Sequence, residues 1–401
     1  MNVPISPLTR IVLACGGTGG HLFPGLAVAE RLRQHGCKVT LVISPKDVDQ
    51  QAVRQGVPMD VLTLPAVGLE AGRKMAFLSG FIRAYRSARS AFRAETPQAA
   101  LAMGGFTSAA PLLAARRARA QTFLHESNSI PGRANRLLSW VVSGAFVGFP
   151  SAANRFRHCP VTVTGTPVRP GFVSRDATEC RRTLGLDPLR AVVLVMGGSQ
   201  GASGVNQCVI KLLPSLGVLA SEWQWIHLTG SNEVETVKQA YAACGARAVV
   251  RPFSVEMEVI MGAATAAISR AGASSQAELA AMRLPAVLIP YPTAVDEHQL
   301  HNARAFEASG AARLLEQSTA TPQQLKPILC ELMQDEMKRQ RMQAALAAWH
   351  YPQAAEQIAG AMLEAIARAG SSQAKAAVRP GAAGSSETST LARGSASLSR
   401  A

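Results

Sequence analysis

The sequence predicts an α/β protein made of two successive Rossmann-like units, each with its own parallel sheet. The chain has 401 residues, 48% of them hydrophobic, which is more than one compact core normally holds. Short apolar runs rich in β-forming residues alternate with segments of helical periodicity, as parallel sheets require. The alternation stops at residues 165–171, where two prolines and two glycines cannot continue an element, and then starts again.

Six apolar runs in the first half are predicted to be strands, at residues 10–14, 38–43, 60–64, 99–103, 121–125 and 145–149. Five more follow residues 165–171, the predicted hinge between the two units, at residues 191–196, 225–229, 248–251, 266–269 and 286–290. We therefore expect one domain at residues 1–170 and a second at 171–350. A helix at 351–369 is expected to pack back on the first domain. Residues 370–401, rich in Ala, Gly and Ser, are expected to form a disordered tail.

Composition excludes several classes of protein. The seven cysteines include no C-x-x-C pair, which argues against a disulfide framework or a zinc cage and favours a reducing cytoplasm. The N-terminus lacks the pattern of an export signal, and the longest uncharged runs contain too many glycines and prolines for a spanning helix. Residues 1–170 carry 20 Lys+Arg against 7 Asp+Glu, and the rest carry 21 against 19. The first half is therefore expected to face something anionic.

The strongest local signal is the glycine-rich loop at residues 15–21, between the first strand and a helix expected to begin near Pro24. Its four glycines let the backbone approach a ligand closely, and the helix N-terminus offers free N–H donors. A nicotinamide or flavin site would need an acidic residue at the end of the second strand, where Ser44 and Pro45 stand instead. His21 could act as a general base or simply contact a phosphate.

Two further glycine loops repeat this design. One belongs to the first unit and contains Gly104, Gly105, Phe106, Thr107 and Ser108. Together with the loop at 15–21 on the same sheet edge, it suggests a ligand with two polar ends or a diphosphate. The other, residues 196–202, follows the first strand of the second unit and is the natural position for a nucleotide diphosphate. A glycine pair can also do no more than close a tight turn.

Polar residues follow later strands of the second unit. Glu278 lies on the helix after a small-residue turn and could bind both hydroxyls of a ribose, although an isolated helix glutamate is usually solvated. Residues 296–299 follow the next strand and could reach a sugar. Asp47 and Asp49 match the D-x-D pattern of some metal-dependent transferases, but an aspartate after Pro45 is more simply a helix cap. We predict no metal site.

Residues 77–93 combine an apolar stripe with four arginines. Phe77, Phe81, Tyr85, Ala88 and Phe92 recur at helical spacing, while Arg83, Arg86, Arg89 and Arg93 occupy the other face. Such a stripe can pack on a sheet with a solvated basic back, or it can dock on anionic lipid. Nucleic acid could also account for the charge, but no binding motif supports it.

Taken together, the motifs at 16–21, 103–108, 125–128, 165–169, 197–202 and 272–278 resemble the MurG family, the UDP-N-acetylglucosamine:lipid I transferases of peptidoglycan synthesis. The resemblance runs collinearly from about residue 10 to 369. It implies a GT-B architecture, in which two Rossmann-like domains face each other across a cleft. The second domain would mainly hold UDP-N-acetylglucosamine and the first would mainly hold the lipid acceptor, with residues 104–108 as the loop that binds the acceptor or its diphosphate.

The resemblance also implies the donor-site residues by matching position: Thr18, Gly19, Gly20, Asn128, Arg169, Ser199, Ser254, Ala273, Ser274, Ser275, Gln276, Ala277, Glu278 and Gln299. Glu278 would bind the ribose, and Ser254 falls where the family contacts uracil. Ser199 and Arg169 would bind the diphosphate, and Asn128 and Gln299 the transferred sugar. The residues at 127, 166, 271 and 274 depart from the family pattern.

The expected reaction is inverting transfer of N-acetylglucosamine to the muramyl 4-hydroxyl of lipid I, which gives lipid II. His21 is expected to be the base, with Glu126 as the alternative base or as its orienting partner. No cofactor is expected, and the enzyme should lie peripherally on the cytoplasmic face of the inner membrane, in reach of other wall-synthesis proteins. The alternatives are a diacylglycerol glycosyltransferase, a UDP-N-acetylglucosamine 2-epimerase and a non-catalytic UDP-sugar-binding scaffold.

Overall fold

A computed structural model describes residues 9–16, 19–45, 59–65, 74–198, 201–292, 294 and 297–377. These residues form two parallel sheets, which confirms the predicted fold class. The strand pairs that the described residues form are all parallel, and helices lie in the crossovers that these residues trace in full. Within the described part of the chain, no helix combines the length and apolar character needed to cross a bilayer.

The first sheet has seven strands in the order β3-β2-β1-β4-β5-β6-β7. They are β1 (Arg10–Ala14), β2 (Lys38–Ile43), β3 (Asp60–Thr63), β4 (Ala99–Ala102), β5 (Gln121–Glu126), β6 (Gly144–Val147) and β7 (Val161–Val163). The sequence prediction missed β7, because this short edge strand is partly exposed and lacks a continuous apolar run. Because β1, β4 and β5 are neighbours in this order and run parallel, the loops that follow them meet along one edge of the sheet.

The second sheet has six strands in the order β10-β9-β8-β11-β12-β13. They are β8 (Val192–Met196), β9 (Gln224–Leu228), β10 (Arg247–Arg251), β11 (Ala266–Ser269), β12 (Ala286–Leu288) and β13 (Arg313–Leu314). Every residue of the central strand β8 is buried because helices cover both faces of the sheet, as in parallel sheets generally. The two-residue β13 also escaped prediction.

In the described residues up to the hinge, the α-helices are α1 (Gly19–Gln34), α2 (Lys74–Ala94), α3 (Ala109–Arg117), α4 (Arg133–Leu138) and α5 (Pro150–Ala153). Those of the second unit are α6 (Ala177–Thr183), α7 (Ser203–Leu216), α8 (Val218–Glu222), α9 (Val234–Ala243), α10 (Met257–Ala263), α11 (Ala273–Ala281), α12 (His298–Ala308), α13 (Pro322–Gln334) and α14 (Glu336–Ala347). The last helix is α15 (Ala354–Ala377).

The last helix returns to the first sheet. Ile358, Ala359 and Met362 of α15 are fully buried in one core with residues of α1, β1 and β2. Just before this helix, the ring of Tyr351 packs on Gly165 in the hinge. A Cβ atom on residue 165 would lie only 2.2 Å from that ring, so only glycine fits at this position. Helix α15 continues to Ala377, beyond the predicted end at 369, because residues 373–377 (Gln, Ala, Lys, Ala and Ala) are good helix formers. The rest of the predicted tail, residues 378–401, lies outside the described residues.

The stripe at residues 77–92 faces the core. Ala88 and Phe92 of α2 are buried, and Phe81 and Tyr85 pack against the same cluster of apolar side chains beneath the helix. The structure thus agrees with the prediction that the stripe packs on the sheet. The solvent side of α2 carries arginines, but it also exposes Met75, Leu78 and Ile82, which are 79%, 50% and 40% accessible.

Candidate active site

His21 lies where the first two glycine loops meet. Helix α1 begins at Gly19, not near Pro24 as the sequence suggested, so His21 belongs to its first turn. The imidazole lies against Gly104, because a Cβ built on Gly104 would be 2.8 Å from Nε2 of His21. Gly104 also has a φ of 117°, which L side chains rarely adopt. The hydroxyl of Thr107 donates a hydrogen bond to the carbonyl oxygen of Gly16, which ties the loops together.

Pro24 lies inside α1 and removes one hydrogen bond from the first turns of this helix. Proline has no N–H, so the carbonyl four residues earlier, that of Gly20, loses its partner within the helix. The hydroxyl of Ser274, in the first turn of α11, donates to this Gly20 oxygen at 2.8 Å. The N-terminal ends of α1 and α11 therefore meet across the cleft. Ser274, where the sequence departs from the family pattern, makes a direct link between the two units.

The carboxylate of Glu126 accepts hydrogen bonds from the segment that follows β5. Its Oε1 accepts hydrogen bonds from the backbone N–H and the side-chain amide of Asn128, both at 2.9 Å. Its Oε2 accepts from the N–H of Gly132 at 3.0 Å and from the side chain of Asn135 at 2.9 Å. Four donors on a buried carboxylate favour a role in shaping the loop over a role as proton acceptor.

His125 is fully buried behind His21. Its Nε2 lies 3.2 Å from the carbonyl oxygen of Gly165 and its Nδ1 lies 3.3 Å from the hydroxyl of Ser127. Desolvation lowers the pKa of His125 to about 4, the hydrogen bond to Gly165 opposes this shift, and the charge of nearby His21 adds to it. His125 is therefore neutral at physiological pH and holds the hinge at Gly165.

Glu278 and Arg169 lie together on the second unit's side of the cleft. Desolvation raises the pKa of Glu278 from 4.5 to about 7, the positive charge of Arg169 opposes this, and the negative charge of Glu258 adds to it. A guanidinium N–H nitrogen of Arg169 lies 3.9 Å from a carboxylate oxygen of Glu258. Arg169 thus interacts electrostatically with two carboxylates, those of Glu258 and Glu278.

Two aromatic rings hold the Arg169 guanidinium in place. Its central carbon lies 4.7 Å from the ring centroid of Phe23, on α1, and 5.2 Å from that of Phe172. Its Nε is buried and has no hydrogen-bond partner. A buried, unused donor on a fixed guanidinium is suited to an anionic ligand. Phe23 links this arginine to the helix that carries His21.

A buried network fixes the start of α7, the helix that follows the third glycine loop. Asn206, in the first turn of α7, donates from its amide to the carbonyl of Thr229 at 2.9 Å and to Glu233 at 2.7 Å. Its Oδ1 therefore accepts from Nε2 of His227 at 3.0 Å, and Nδ1 of His227 accepts from the hydroxyl of Tyr241 at 3.1 Å. Desolvation lowers the pKa of His227 to about 3, so the ring stays neutral in this tautomer.

The remaining sequence-predicted residues are distributed as follows. Ser254 is buried and its hydroxyl accepts from the N–H of Glu256 at 3.2 Å. Gln299 accepts from the N–H of Tyr291 at 3.0 Å. Gln276 points into the protein, where its amide donates to the carbonyl of Ala271 at 3.1 Å. Ala273, Ser275 and Ala277 lie with it on α11.

Several predicted residues lie outside the described part of the chain, namely Thr18, Ser199, Asp47, Asp49 and Asp296. Among the residues that are described, no group of three or more His, Cys, Asp or Glu side chains is placed to hold a metal ion.

Sequence reasoning missed Phe23, Glu258 and Asn302. Asn302 lies fully buried on α12, and its side chain contacts Asn128 and Ser129 across the cleft. None of the three belongs to a glycine loop or a recognisable motif. An asparagine at an apolar helix position was the one available signal, because a buried amide needs partners.

Family models match both units. Residues 11–147 match the glycosyltransferase family 28 N-terminal domain, and residues 192–358 match the glycosyltransferase family 28 C-terminal domain. The crystal structure of MurG from Acinetobacter baumannii superimposes with a TM-score of 0.69 at 27% sequence identity, covering 89% of this chain and 100% of that one. A UDP-GlcNAc 2-epimerase from Neisseria meningitidis has a TM-score of 0.64 at 14% identity, so it shares the fold. The predicted GT-B architecture is confirmed.

Two relatives share the name UDP-N-acetylglucosamine–N-acetylmuramyl-(pentapeptide) pyrophosphoryl-undecaprenol N-acetylglucosamine transferase. One, from Anaeromyxobacter sp. (strain Fw109-5), is 34% identical over 365 residues, which cover 90% of this chain and 94% of the relative. The other, from Synechococcus sp. (strain CC9902), is 39% identical over 313 residues, covering 77% and 84%. With both family 28 domains matched and relatives of this identity aligned over most of its length, the chain belongs to the MurG family of glycosyltransferases.

Proposed function

We propose that this protein transfers N-acetylglucosamine from UDP-N-acetylglucosamine to the muramyl 4-hydroxyl of lipid I, forming lipid II. The proposal rests on one observation: two different sets of functional groups face each other from opposite sides of one cleft. His21 and two glycine loops lie on the side of the first sheet, and Arg169 and Glu278 lie on the side of the second. Such an arrangement suits a reaction between two substrates held by different domains.

In the proposed reaction His21 accepts the proton of the 4-hydroxyl as its oxygen attacks the anomeric carbon of the donor sugar. The bond from this carbon to the diphosphate oxygen breaks with inversion, and UDP leaves with the electron pair. Arg169 and the N–H groups at the start of α7 would stabilise the charge that develops on the diphosphate. In this scheme a metal ion is not required. Glu126 would act through Asn128, by fixing the loop that carries it.

The division of labour follows the two sheets. Residues 1–170 would bind the lipid acceptor and residues 171–350 would bind the donor, with Glu278 on the ribose, Ser254 near uracil, and Asn128 and Gln299 on the sugar. The 2-epimerase and the diacylglycerol glycosyltransferase are not favoured, since the relatives at 33–39% identity carry the transferase name.

The proposal is tested by measuring UDP release with a short-chain lipid I analogue, with no acceptor, and with diacylglycerol. We expect release from UDP-N-acetylglucosamine only with the lipid I analogue, and a product in which a β-1,4 bond joins the two sugars. UDP release, or formation of an epimerised sugar, without an acceptor would contradict the proposal.

The raised pKa of Glu278 makes donor affinity depend on pH. The hydroxyls of a ribose donate hydrogen bonds, and the ionised carboxylate accepts both of them best. With the pKa of Glu278 at about 7, its ionisation and the affinity for the donor should rise together between pH 6 and pH 8. We expect the dissociation constant of UDP-N-acetylglucosamine to fall about tenfold over this range.

Titration calorimetry of the wild type and of Glu278→Gln checks this prediction. The glutamine variant should bind about tenfold more weakly at pH 8, and its affinity should not change with pH. Glu235→Gln, an exposed glutamate paired with Lys238, is the control. Retention of the pH dependence in Glu278→Gln would assign the titration to another group.

We also propose that the protein lies peripherally on an anionic membrane, at the cytoplasmic face of the inner membrane and in reach of other wall-synthesis proteins. The exposed side of α2 supports contact with such a membrane. Met75, Leu78 and Ile82 offer apolar contact, and Arg83 and Arg86 lie beside them on the exposed side. Each basic residue near an anionic surface contributes about 1 kcal/mol.

Sedimentation with vesicles tests this position. Replacement of Met75 and Leu78 by serine should reduce binding to vesicles rich in phosphatidylglycerol, while turnover of a short-chain acceptor is retained. Leu189→Ser is the matched control, because Leu189 is 86% exposed in the second unit. Equal vesicle binding by the double variant and the wild type would exclude this surface.

A further inference from the structure

A buried hydrogen-bond cluster joins the two units beside the proposed sugar site. Asn302, on α12, is fully buried. Its Oδ1 accepts hydrogen bonds from the N–H of Ser129 at 2.9 Å and from the hydroxyl of Ser129 at 3.0 Å. Its Nδ2 donates to Oδ1 of Asn128 at 3.0 Å. Three hydrogen bonds from one side chain thus connect the second unit to the loop after β5.

The hydrogen bonds of this cluster can run in only one donor-to-acceptor order. Both amide atoms of Asn128 are engaged, since its Nδ2 donates to Glu126 and its Oδ1 accepts from Asn302. The order of donors therefore runs from Ser129 to Asn302, then to Asn128, and then to Glu126. Reversal of either amide would place two acceptors or two donors face to face, so the cluster allows one arrangement of these side chains.

A second link crosses the cleft at another place, where Ser274 donates to the Gly20 carbonyl that Pro24 leaves without a helical partner. Two separate links restrict rotation of the units about the hinge more than one link can. The Ser274 link is partly exposed, whereas Asn302 and Ser129 are buried, and an unmade hydrogen bond costs more in a buried position.

We propose that Asn302 is a positioning residue, which fixes the Asn128 amide and the separation of the two units so that the acceptor hydroxyl meets the donor sugar. The proposal rests on the transfer reaction proposed above, since it assigns Asn128 to the sugar. Asn302 itself acts through Asn128. Its loss should lower turnover through misalignment, while each substrate still binds to its own unit.

We expect Asn302→Ala to lower kcat about 10- to 100-fold with changes of less than about threefold in the dissociation constants of UDP and of the acceptor analogue. The double variant Asn128→Ala/Asn302→Ala should be no slower than Asn128→Ala alone, because the two residues act as one unit. Arg304→Ala, on the same helix but in an exposed ion pair with Glu316, is the control.

Asn302→Asp separates positioning from simple stabilisation. An ionised aspartate would face the Oδ1 of Asn128 with a second acceptor, whereas a protonated one could donate as the amide does. The ratio of its kcat to that of the wild type should therefore rise as the pH is lowered, while the dissociation constant of UDP changes by less than about threefold. A flat ratio together with additive effects of the two alanine substitutions would overturn the proposal.

The two hypotheses fail in different ways. If the wild type does not turn over the lipid I analogue, the proposed transfer reaction is wrong. The role of Asn302 in fixing the two units can still be tested, by comparing the distance between labels on the two units in the wild type and in Asn302→Ala. If the wild type turns over lipid I analogue and Asn302→Ala does so equally well, only the role of Asn302 is wrong.

Discussion

Replacement of His21 by alanine should lower kcat by about 10²- to 10⁴-fold, the contribution of a positioned general base. The imidazole lies in the first turn of α1 against Gly104, at the point where the two loops of the first sheet meet. Binding of UDP should be nearly unchanged, because Arg169 and Glu278 belong to the other side of the cleft. Alanine leaves a small cavity next to a glycine, so the fold should tolerate the change.

Single-turnover kinetics and calorimetry with UDP together test the role of His21. His35→Ala is the control, since His35 follows the same helix and makes an exposed contact with Glu356. The kcat of this control should match that of the wild type. A His21→Ala enzyme with the kcat of the wild type would remove His21 from proton transfer and would require another base.

Replacement of Arg169 by alanine should lower kcat about 10²- to 10³-fold, the loss expected for one donor to a developing anion. The guanidinium is held between Phe23 and Phe172 with a buried, unpaired Nε. Its removal also takes away the positive charge that opposes the rise in the pKa of Glu278. The pKa of Glu278 should therefore rise further, and donor binding should weaken most near neutral pH.

Arg169→Lys keeps the charge but lacks the planar fork, so its kcat should lie between those of the wild type and Arg169→Ala. Arg182→Ala, which removes an exposed arginine paired with Glu179, controls for a general loss of positive charge. The pH dependence of UDP-N-acetylglucosamine affinity should shift to higher pH in Arg169→Ala. An unchanged kcat together with an unshifted pH profile would contradict this role.

The strands were predictable to different degrees, for reasons of burial. The run that became β8 is buried along its whole length, and a continuous apolar run of that kind is visible without knowledge of its neighbours. The edge strands β7 and β13 are short and partly exposed, so their pairing depends on the sheet already being present. The start of α1 was misplaced because Pro24 suggested a first turn, whereas the helix continues through it.

Glu126 shows the limit of motif reasoning at the site. The sequence predicts Glu126 as an alternative base or as the orienting partner of His21, and sequence spacing could not decide between these roles. The structure places four donors on its carboxylate, two of them from residues more than five positions away. Hydrogen-bond partners of this kind decide whether a carboxylate is available for chemistry.

The sequence by itself determined the two-sheet fold class and the places where the backbone must be glycine, because apolar periodicity and backbone freedom are local properties of the chain. Only the tertiary structure decided which groups share the cleft. Asn302 reaches Asn128 across 174 positions, and Ser274 reaches Gly20 across 254. Which residues become partners depends on how the two sheets pack against each other. The free-energy cost of burying an amide such as that of Asn302 depends in turn on whether it finds a hydrogen-bond partner.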